Sequence, residues 1–469
     1  MPSLSHFQKR RSQLLNALEQ PLLLFAGGWA PRNYPQNPYP FRADSNVLFL
    51  FEAPEPTSAA LLDPADGHVT LFLPRRTPED ALWHGAVPSF SEMRDRHGVH
   101  SIEPVEELED RVRDLVGGRP LDALAVADHR ATEIARRLTG QDLDFGDTGK
   151  QGRPEVISAI AGLRMRKDDD EIAEMRRTAA ITREAHLEAI TRTRPGIYEQ
   201  ELVGMVDGCF WRHGCVPAYN TILSVRGEVL HNHSHDNLIK ENDVVLLDGG
   251  AENASGYCSD VTRSWPVGGR FDAEGRDIYD IVLAAQLAAI EAVRPGARYR
   301  DLHLLACRVI ADGLAGMGIL RGEPDDLVAS GAHALFFPHG LGHIIGLDVH
   351  DMEAFGDAVG YGPGRSRSDQ FGLAALRLDV DLEPGMVVTI EPGIYFVPGI
   401  LRDDALRSRF KDQVAYDKAE HFLTMHSRRG FGGIRIEDDV VCTQDGANVL
   451  TDAIPKERAV IEAMVGCAR

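Results

Sequence analysis

The chain repeats itself, and that repeat restricts its architecture more than any other feature. Arg194-Pro195-Gly196 follows one helical run and Arg294-Pro295-Gly296 follows another, 100 residues later. Each triplet leads into a further helix, predicted over Glu199–Arg212 and Tyr299–Met317, that stops near a glycine, Gly214 or Gly318. The echo continues in strands. Val244-Val245-Leu246-Leu247-Asp248-Gly249-Gly250 parallels Val387-Val388-Thr389-Ile390-Glu391-Pro392-Gly393: a buried apolar strand ends in a carboxylate, with glycine two residues on. The loops differ in length, because Glu391 follows Asp248 at an offset of 143 residues. Two matched pairs in the same order imply a duplicated α/β half, with Asp248 and Glu391 at equivalent points of a pseudo-twofold site.

The duplication occupies the later two thirds of a 469-residue chain. The first third alternates short β-rich runs (Val47–Phe51, Ala59–Leu62, His68–Leu73, Leu121–Ala127) with helical spacing over Pro104–Val116 and Ala131–Leu138, so it reads as a separate α/β domain. The Gly- and Asp-rich stretch Asp142–Pro154 marks a boundary. Beyond it Asp168 caps a long helix running through Thr193, with Ile172, Met175, Ala179, Ala185 and His186 along one face. The expected division is 1–155 and 165–469, both of mixed α/β (α+β) class.

Lys and Arg total 50 against 71 Asp and Glu, a net charge of −21, with no compensating basic stripe, so nucleic acid is an unsuitable partner. Six cysteines without a C-x-x-C pair read as reduced thiols of a cytoplasmic protein. The basic cluster Lys9-Arg10-Arg11 precedes polar Gln13, Asn16, Glu19 and Gln20, and the apolar run Pro21–Ala26 is too short for a secretory signal. No stretch approaches the ~20 apolar residues that a membrane span needs. The phosphate-binding loop, H-E-x-x-H and G-x-S-x-G motifs are missing, and Gly360–Gly364 reads as a loop. The sequon at Asn253-Ala254-Ser255 carries no meaning without a secretory signal.

The chemistry gathers in polar residues set among apolar ones. Asp248 ends an apolar strand, where a carboxylate suffers desolvation unless it is paired or bound to a cation; taken alone, it could simply cap the next turn. In Tyr257–Trp265, period-2 alternation places Asp260, Thr262 and Ser264 on one face. In Gly433–Val440, Ile434 and Ile436 face one way while Arg435, Glu437 and Asp439 face the other, and either segment alone could be an edge strand with a wet face. His339, His343 and His350 fall within twelve residues among glycines and aliphatics, which points to a buried functional turn. A second cluster, His231, His233 and His235, precedes the Asp248 strand and leaves the choice among its imidazoles open. Four carboxylates with one histidine make an oxygen-rich site, suited to Mn²⁺ or Co²⁺ better than the sulfur- and nitrogen-rich sets of structural Zn²⁺. Their charge calls for two divalent ions.

These residues resemble the pita-bread metallopeptidases, the group of aminopeptidase P, prolidase and the shorter methionine aminopeptidase. The family's ordered ligand pattern is complete in Asp248, Asp260, His343, Glu391 and Glu437. One departure is the spacing of Asp248 and Asp260, eleven intervening residues where the family usually has ten, so the turn Glu252–Ser255 should bulge. The resemblance implies a creatinase/prolidase-type N-terminal α/β domain and a C-terminal pseudo-twofold pita-bread domain. It also implies two divalent ions, Mn²⁺ foremost and Co²⁺ or Zn²⁺ as substitutes. Asp260 and Glu437 would bridge them, Asp248 would complete one coordination sphere, and His343 and Glu391 the other. Glu391 would be the general base for a hydroxide shared by the ions; His231, His339 and His350 would bind the peptide, and Arg435 would orient the carboxylates.

The implied substrate is a small peptide with proline after the scissile bond. Arg377, fourteen residues before Glu391, stands where prolidases hold a dipeptide's C-terminal carboxylate, and the insert Phe396–Gly430 is prolidase-like. The expectation is therefore an Xaa-Pro dipeptidase. A surface ion pair of Arg377 with Asp379 or Asp381 is the plain alternative for that residue. Phe41–Asn46 resembles aminopeptidase P equally well, so an Xaa-Pro aminopeptidase acting on longer peptides is the second reading, and a non-catalytic pita-bread binding protein the remote one. The family resemblance further implies a homodimer, or a dimer of dimers, with a neighbour's N-terminal domain bordering the active site.

Overall fold

In the computed structural model residues 3–85, 88–425 and 430–467 are described. The chain forms two compact units, Met1–Met165 together with Met352–Val359, and Arg166–Asp351 together with Gly360–Arg469. The first unit thus takes the helix Pro154–Arg164, and it also takes an eight-residue segment from a region that sequence patterning assigned to the C-terminal domain. Asp142–Pro154 is no loose linker. Asp144 and Asp147 close tight turns onto Gly146 and Gly149, and the Gln151 amide donates to the carbonyls of Asp144, Phe145 and Asp147.

The first unit is built on a five-stranded sheet of β1 (Leu22–Phe25), β2 (Ala59–Asp63), β3 (His68–Leu73), β4 (Ser101–Pro104) and β5 (Asp122–Ala123), in the order β4-β3-β2-β1-β5. Its apolar face packs Leu23, Phe25, Leu61 and Phe72 against the helices Leu108–Val116 and His129–Thr139. Of the predicted strand Leu121–Ala127, only β5 pairs as a strand. Val47–Phe51, predicted as a strand, is a helix over Ser45–Leu50. Asp44 accepts from the Asn46 amide at 2.9 Å and so caps its start. Arg10 and Arg11 donate to the Phe49 and Leu50 carbonyls at its end while lying over the Phe49 and Phe51 rings. Burial and the two arginines outweigh β-propensity here.

The second unit carries the duplication. Asp168 caps the helix Asp169–Arg192 in a reciprocal capping box with Glu171. The chain turns at Gly196 (φ 88°) into the helix Glu199–Arg212; 100 residues on, the helix Ala273–Ala292 turns at Gly296 (φ 79°) into Tyr299–Gly316. The left-handed φ explains glycine at both turns. Each turn closes the same way: Gly196 donates to Ile239 at 2.9 Å and Gly296 to Leu382 at 2.8 Å, acceptors that each precede their strand-end carboxylate by nine residues.

The strands of this unit are β6 (Val216–Pro217), β7 (Ile222–Ser224), β8 (Val244–Asp248), β9 (Ala251–Glu252), β10 (Thr262–Pro266), β11 (Val387–Ile390), β12 (Gly393–Tyr395), β13 (Gly433–Arg435), β14 (Asp438–Thr443) and β15 (Gly446–Val449). They form sheets β10-β8-β7 and β11-β14-β15, with β12 paired to β13 and β6 to β9. Asp248 lies opposite Thr262, and Ile390 opposite Asp438, so each half brings a strand-end carboxylate beside the start of its partner strand. Between Asp248 and Asp260, β9 pairs with β6, Glu252 bridges Cys258, and the Asn253 side chain accepts from the Ser255 and Tyr257 amides. None of the six cysteines is joined in a disulfide. Among the described residues no helix is long and apolar enough to cross a membrane.

Candidate metal centre

Where the two halves meet, Asp248, Asp260, His343, Glu391 and Glu437 line one cavity of about 380 Å³, and His231, His339, His350, Arg377 and Arg435 share its wall. All ten residues singled out from the sequence are brought to this place. Asp248 and Glu391 arrive at the ends of β8 and β11. His343 is delivered by a loop laid along β11, where Thr389 donates its amide to the His343 carbonyl and Glu391 to that of Leu341. Glu437 is held across from β10, its amide donating to Thr262 at 3.1 Å and its carboxylate accepting from the Thr262 hydroxyl at 2.6 Å. The faces that alternation left open to water are closed: Arg435, Glu437 and Asp439 are buried, as are Asp260, Thr262 and Ser264.

His343 Nε2 lies 3.4 Å from Asp260 Oδ2 and 3.7 Å from Glu391 Oε1, and ligand atoms of Asp260, His343 and Glu437 all lie within 4.8 Å of one another. On the far side Tyr219 donates to Asp248 at 2.5 Å and also contacts Asp260. Arg435 reaches Asp248 Oδ2 at 2.5 Å, Thr262 Oγ1 at 2.9 Å and Tyr395 Oη at 3.0 Å. His343 Nδ1–H donates to the Ile344 carbonyl at 3.1 Å. That tautomer, assigned from its hydrogen bond, turns the Nε2 lone pair toward two carboxylates. Acceptor facing acceptor in a buried pocket is unfavourable unless a cation or a proton stands between them.

The carboxylates respond as that crowding requires. Burial, reinforced by Asp260 and Asp248, pushes Glu391 up to about 8 against an opposing pull from Arg435. Burial and neighbouring carboxylates likewise raise Glu437 well above the usual range, and Asp260 and Asp248 rise chiefly through burial. Asp439 is raised by burial and by Asp260; its Oδ2 accepts the Asp260 amide, while Oδ1 has no protein partner. Burial lowers His339 to about 3 and lowers His231, so both imidazoles are neutral near pH 7. A buried, oxygen-rich donor set with a directed imidazole lone pair and too much negative charge for its one buried guanidinium fits divalent cations.

Of the second histidine cluster, His231 and His233 line the cavity, whereas His235 bonds the Leu223 carbonyl. His350 lies against His343 with ring centroids 3.9 Å apart and the ring planes tilted by 34°. The acids proposed as alternative partners of Arg377 are held by other arginines: Arg298 grips Asp379 through two bonds of 2.6 Å, and Arg365 grips Asp381. Within the insert Phe396–Gly430, Phe396 stacks on Phe422 at 4.0 Å; residues 426–429 lie outside the described set. Tyr219 and Tyr395 went unseen in the sequence. Tyr395 hydrogen-bonds both Arg435 and His339 at the end of β12, and its place four residues after Glu391 was a usable signal; Tyr219 offered none.

A duplicated α/β half that converges strand-end carboxylates and a buried imidazole on one cavity defines a pita-bread metallohydrolase. The profile of metallopeptidase family M24 matches residues 173–444, and that of the aminopeptidase P N-terminal domain matches residues 7–123. The chain belongs to metallopeptidase family M24, a membership that implies an enzyme with divalent metal ions. It is 33% identical to the human Xaa-Pro dipeptidase over 452 residues, covering 91% of this chain and 85% of that one. It is also 33% identical to the Xaa-Pro aminopeptidase of Escherichia coli K12 over 485 residues, covering 100% and 99%. Among solved structures it is similar to zinc-substituted E. coli aminopeptidase P in complex with product, with a TM-score of 0.81, 30% identity, and 100% and 99% of the two chains covered.

Proposed function

We propose that this M24 peptidase hydrolyses Xaa-Pro bonds and acts foremost as an Xaa-Pro dipeptidase. Relatives named Xaa-Pro dipeptidase and Xaa-Pro aminopeptidase, at equal identity, support the bond cleaved. Asp248, Asp260, His343, Glu391 and Glu437 would hold two divalent ions, Mn²⁺ foremost, which when bound supply Lewis acidity and a water acidic enough to ionise near neutral pH. Glu391, beside both Asp260 and His343, is placed to accept a proton from the attacking water and return it to the leaving proline nitrogen. His231, His339 and His350 line the substrate side. His339 and His231, neutral at pH 7, can donate or accept hydrogen bonds without adding charge. Arg435 fixes Asp248, and Tyr395 passes its hold to His339.

The observation that carries the dipeptidase reading is Arg377 on the same cavity wall as the carboxylates. A dipeptide ends one residue past the scissile bond, so its carboxylate needs a cation close to the reacting centre, and a guanidinium fork suits it. Activity of the Mn²⁺-loaded enzyme on an Xaa-Pro dipeptide and on an Xaa-Pro-Xaa tripeptide, with Arg377→Ala alongside, tests this. Loss of dipeptide cleavage in the variant with tripeptide cleavage retained is expected; a wild-type preference for tripeptides overturns it in favour of the aminopeptidase. The end-to-end match to the E. coli aminopeptidase favours that second reading. A homodimer or dimer of dimers accompanies either, and light scattering checks it.

A further inference from the structure

Away from this cavity, three side chains of different chemistry converge on the paired helices Asp169–Arg192 and Glu199–Arg212. Cys209 and His213 are four residues apart, on one face of the second helix and its C-terminal cap. Glu184, from the middle of the first helix, meets both. His213 Nε2 lies 3.0 Å from Glu184 Oε2, and ligand atoms of Glu184, Cys209 and His213 all lie within 4.8 Å of one another. An ion pair of His213 with Glu184 would need no thiol. The neighbouring cation, Arg212, pairs closely with Glu188 at 2.7 Å and only at 4.0 Å with Glu184 Oε1. Cys209 is buried, while Glu184 and His213 are exposed, so one side is open to an entering ion and to water as a fourth ligand.

We propose that Glu184, Cys209 and His213 form a second, peripheral site for a borderline divalent ion, Zn²⁺ or Co²⁺. One sulfur, one imidazole nitrogen and one carboxylate oxygen match the donor preferences of these ions, in contrast to the oxygen-rich central cavity that favours harder ones. Binding breaks the Cys209 S–H bond and forms a sulfur–metal bond, and the displaced proton passes to solvent.

Co²⁺ added to the Mn²⁺-loaded full chain tests the site, read by the near-ultraviolet sulfur-to-cobalt charge-transfer absorption. The central cavity has no sulfur among its lining residues and cannot produce that band. The expected result is a saturable band that Cys209→Ser abolishes and that His213→Ala and Glu184→Gln, both at exposed positions, strongly weaken, with peptidase activity unchanged in all three. The proposal is overturned if no band appears, if it persists in Cys209→Ser, or if it is indifferent to His213→Ala and Glu184→Gln.

Discussion

Loading the central cavity with metal should expel protons, and Glu391 sets the least number expected. With its carboxyl at about 8 in the metal-free fold, Glu391 carries close to one proton at pH 6.5. The ordinary value of 4.5 leaves almost none, and a bound cation restores that ordinary behaviour. A shift of that size corresponds to ~5 kcal/mol, at ~1.4 kcal/mol per pH unit. Because the folded value lies above the unfolded one, this contribution to stability is complete below about pH 4.5 and is lost as pH rises through about 8. The metal-free protein should therefore weaken steadily from pH 5 to 8, while the Mn²⁺-loaded protein does not. Titration calorimetry with Mn²⁺ in buffers of different ionisation enthalpy should find at least about one proton released at pH 6.5, falling above pH 8 as Glu391 ionises unaided. Affinity should rise about tenfold per pH unit across that window for each proton displaced. Proton release near zero at pH 6.5, with affinity flat from pH 6 to 8, would refute the crowded-carboxylate account.

Three further substitutions probe the supports of the site. Lys167 and Asp351 form an ion pair 2.9 Å long with both side chains 1% exposed, directly after His350; Lys167→Met removes the cation from a buried carboxylate and should cost about 3–5 kcal/mol in urea unfolding. At Gly250 an added Cβ would lie 1.7 Å from the Ser259 carbonyl oxygen, so Gly250→Ala should force apart the segments bearing Asp248 and Asp260, lowering stability by about 3 kcal/mol and weakening Mn²⁺ binding in the same calorimeter. Tyr219→Phe removes the hydroxyl shared by Asp248 and Asp260; with about 1–3 kcal/mol at stake, Mn²⁺ affinity should change measurably while the melting temperature of the loaded protein moves by only a few degrees.

The duplicated half was legible because its signals are local: the Arg-Pro-Gly turns, the cap at Asp168 and the carboxylate closing an apolar strand each lie within a few residues. The helix Ser45–Leu50 was hidden for the opposite reason, since what ends it is Arg10 and Arg11, 39 residues earlier in the chain. Met352–Val359 joins the first unit through packing that no periodicity announces. Tyr219 belongs with these, because a tyrosine's value here lies in the two carboxylates it touches, and neither is its neighbour in sequence.

Arg435 shows how alternation can be right about a face and silent about its surroundings. Its grouping with Glu437 and Asp439 read equally well as a wet edge, yet Arg435 is 3% exposed and its guanidinium spans Asp248, Thr262 and Tyr395. Despite burial, which acts against its charge, Tyr395 and the carboxylates of Asp248, Glu391 and Glu437 hold Arg435 in the charged form. One guanidinium cannot balance four buried carboxylates. The remainder must be met by protons or by cations, and those two exclude each other at the same oxygens. The fold thus makes metal occupancy and carboxylate protonation competing answers to one excess of charge, which is why the proton count on Mn²⁺ binding reports on the whole site and not on Glu391 alone.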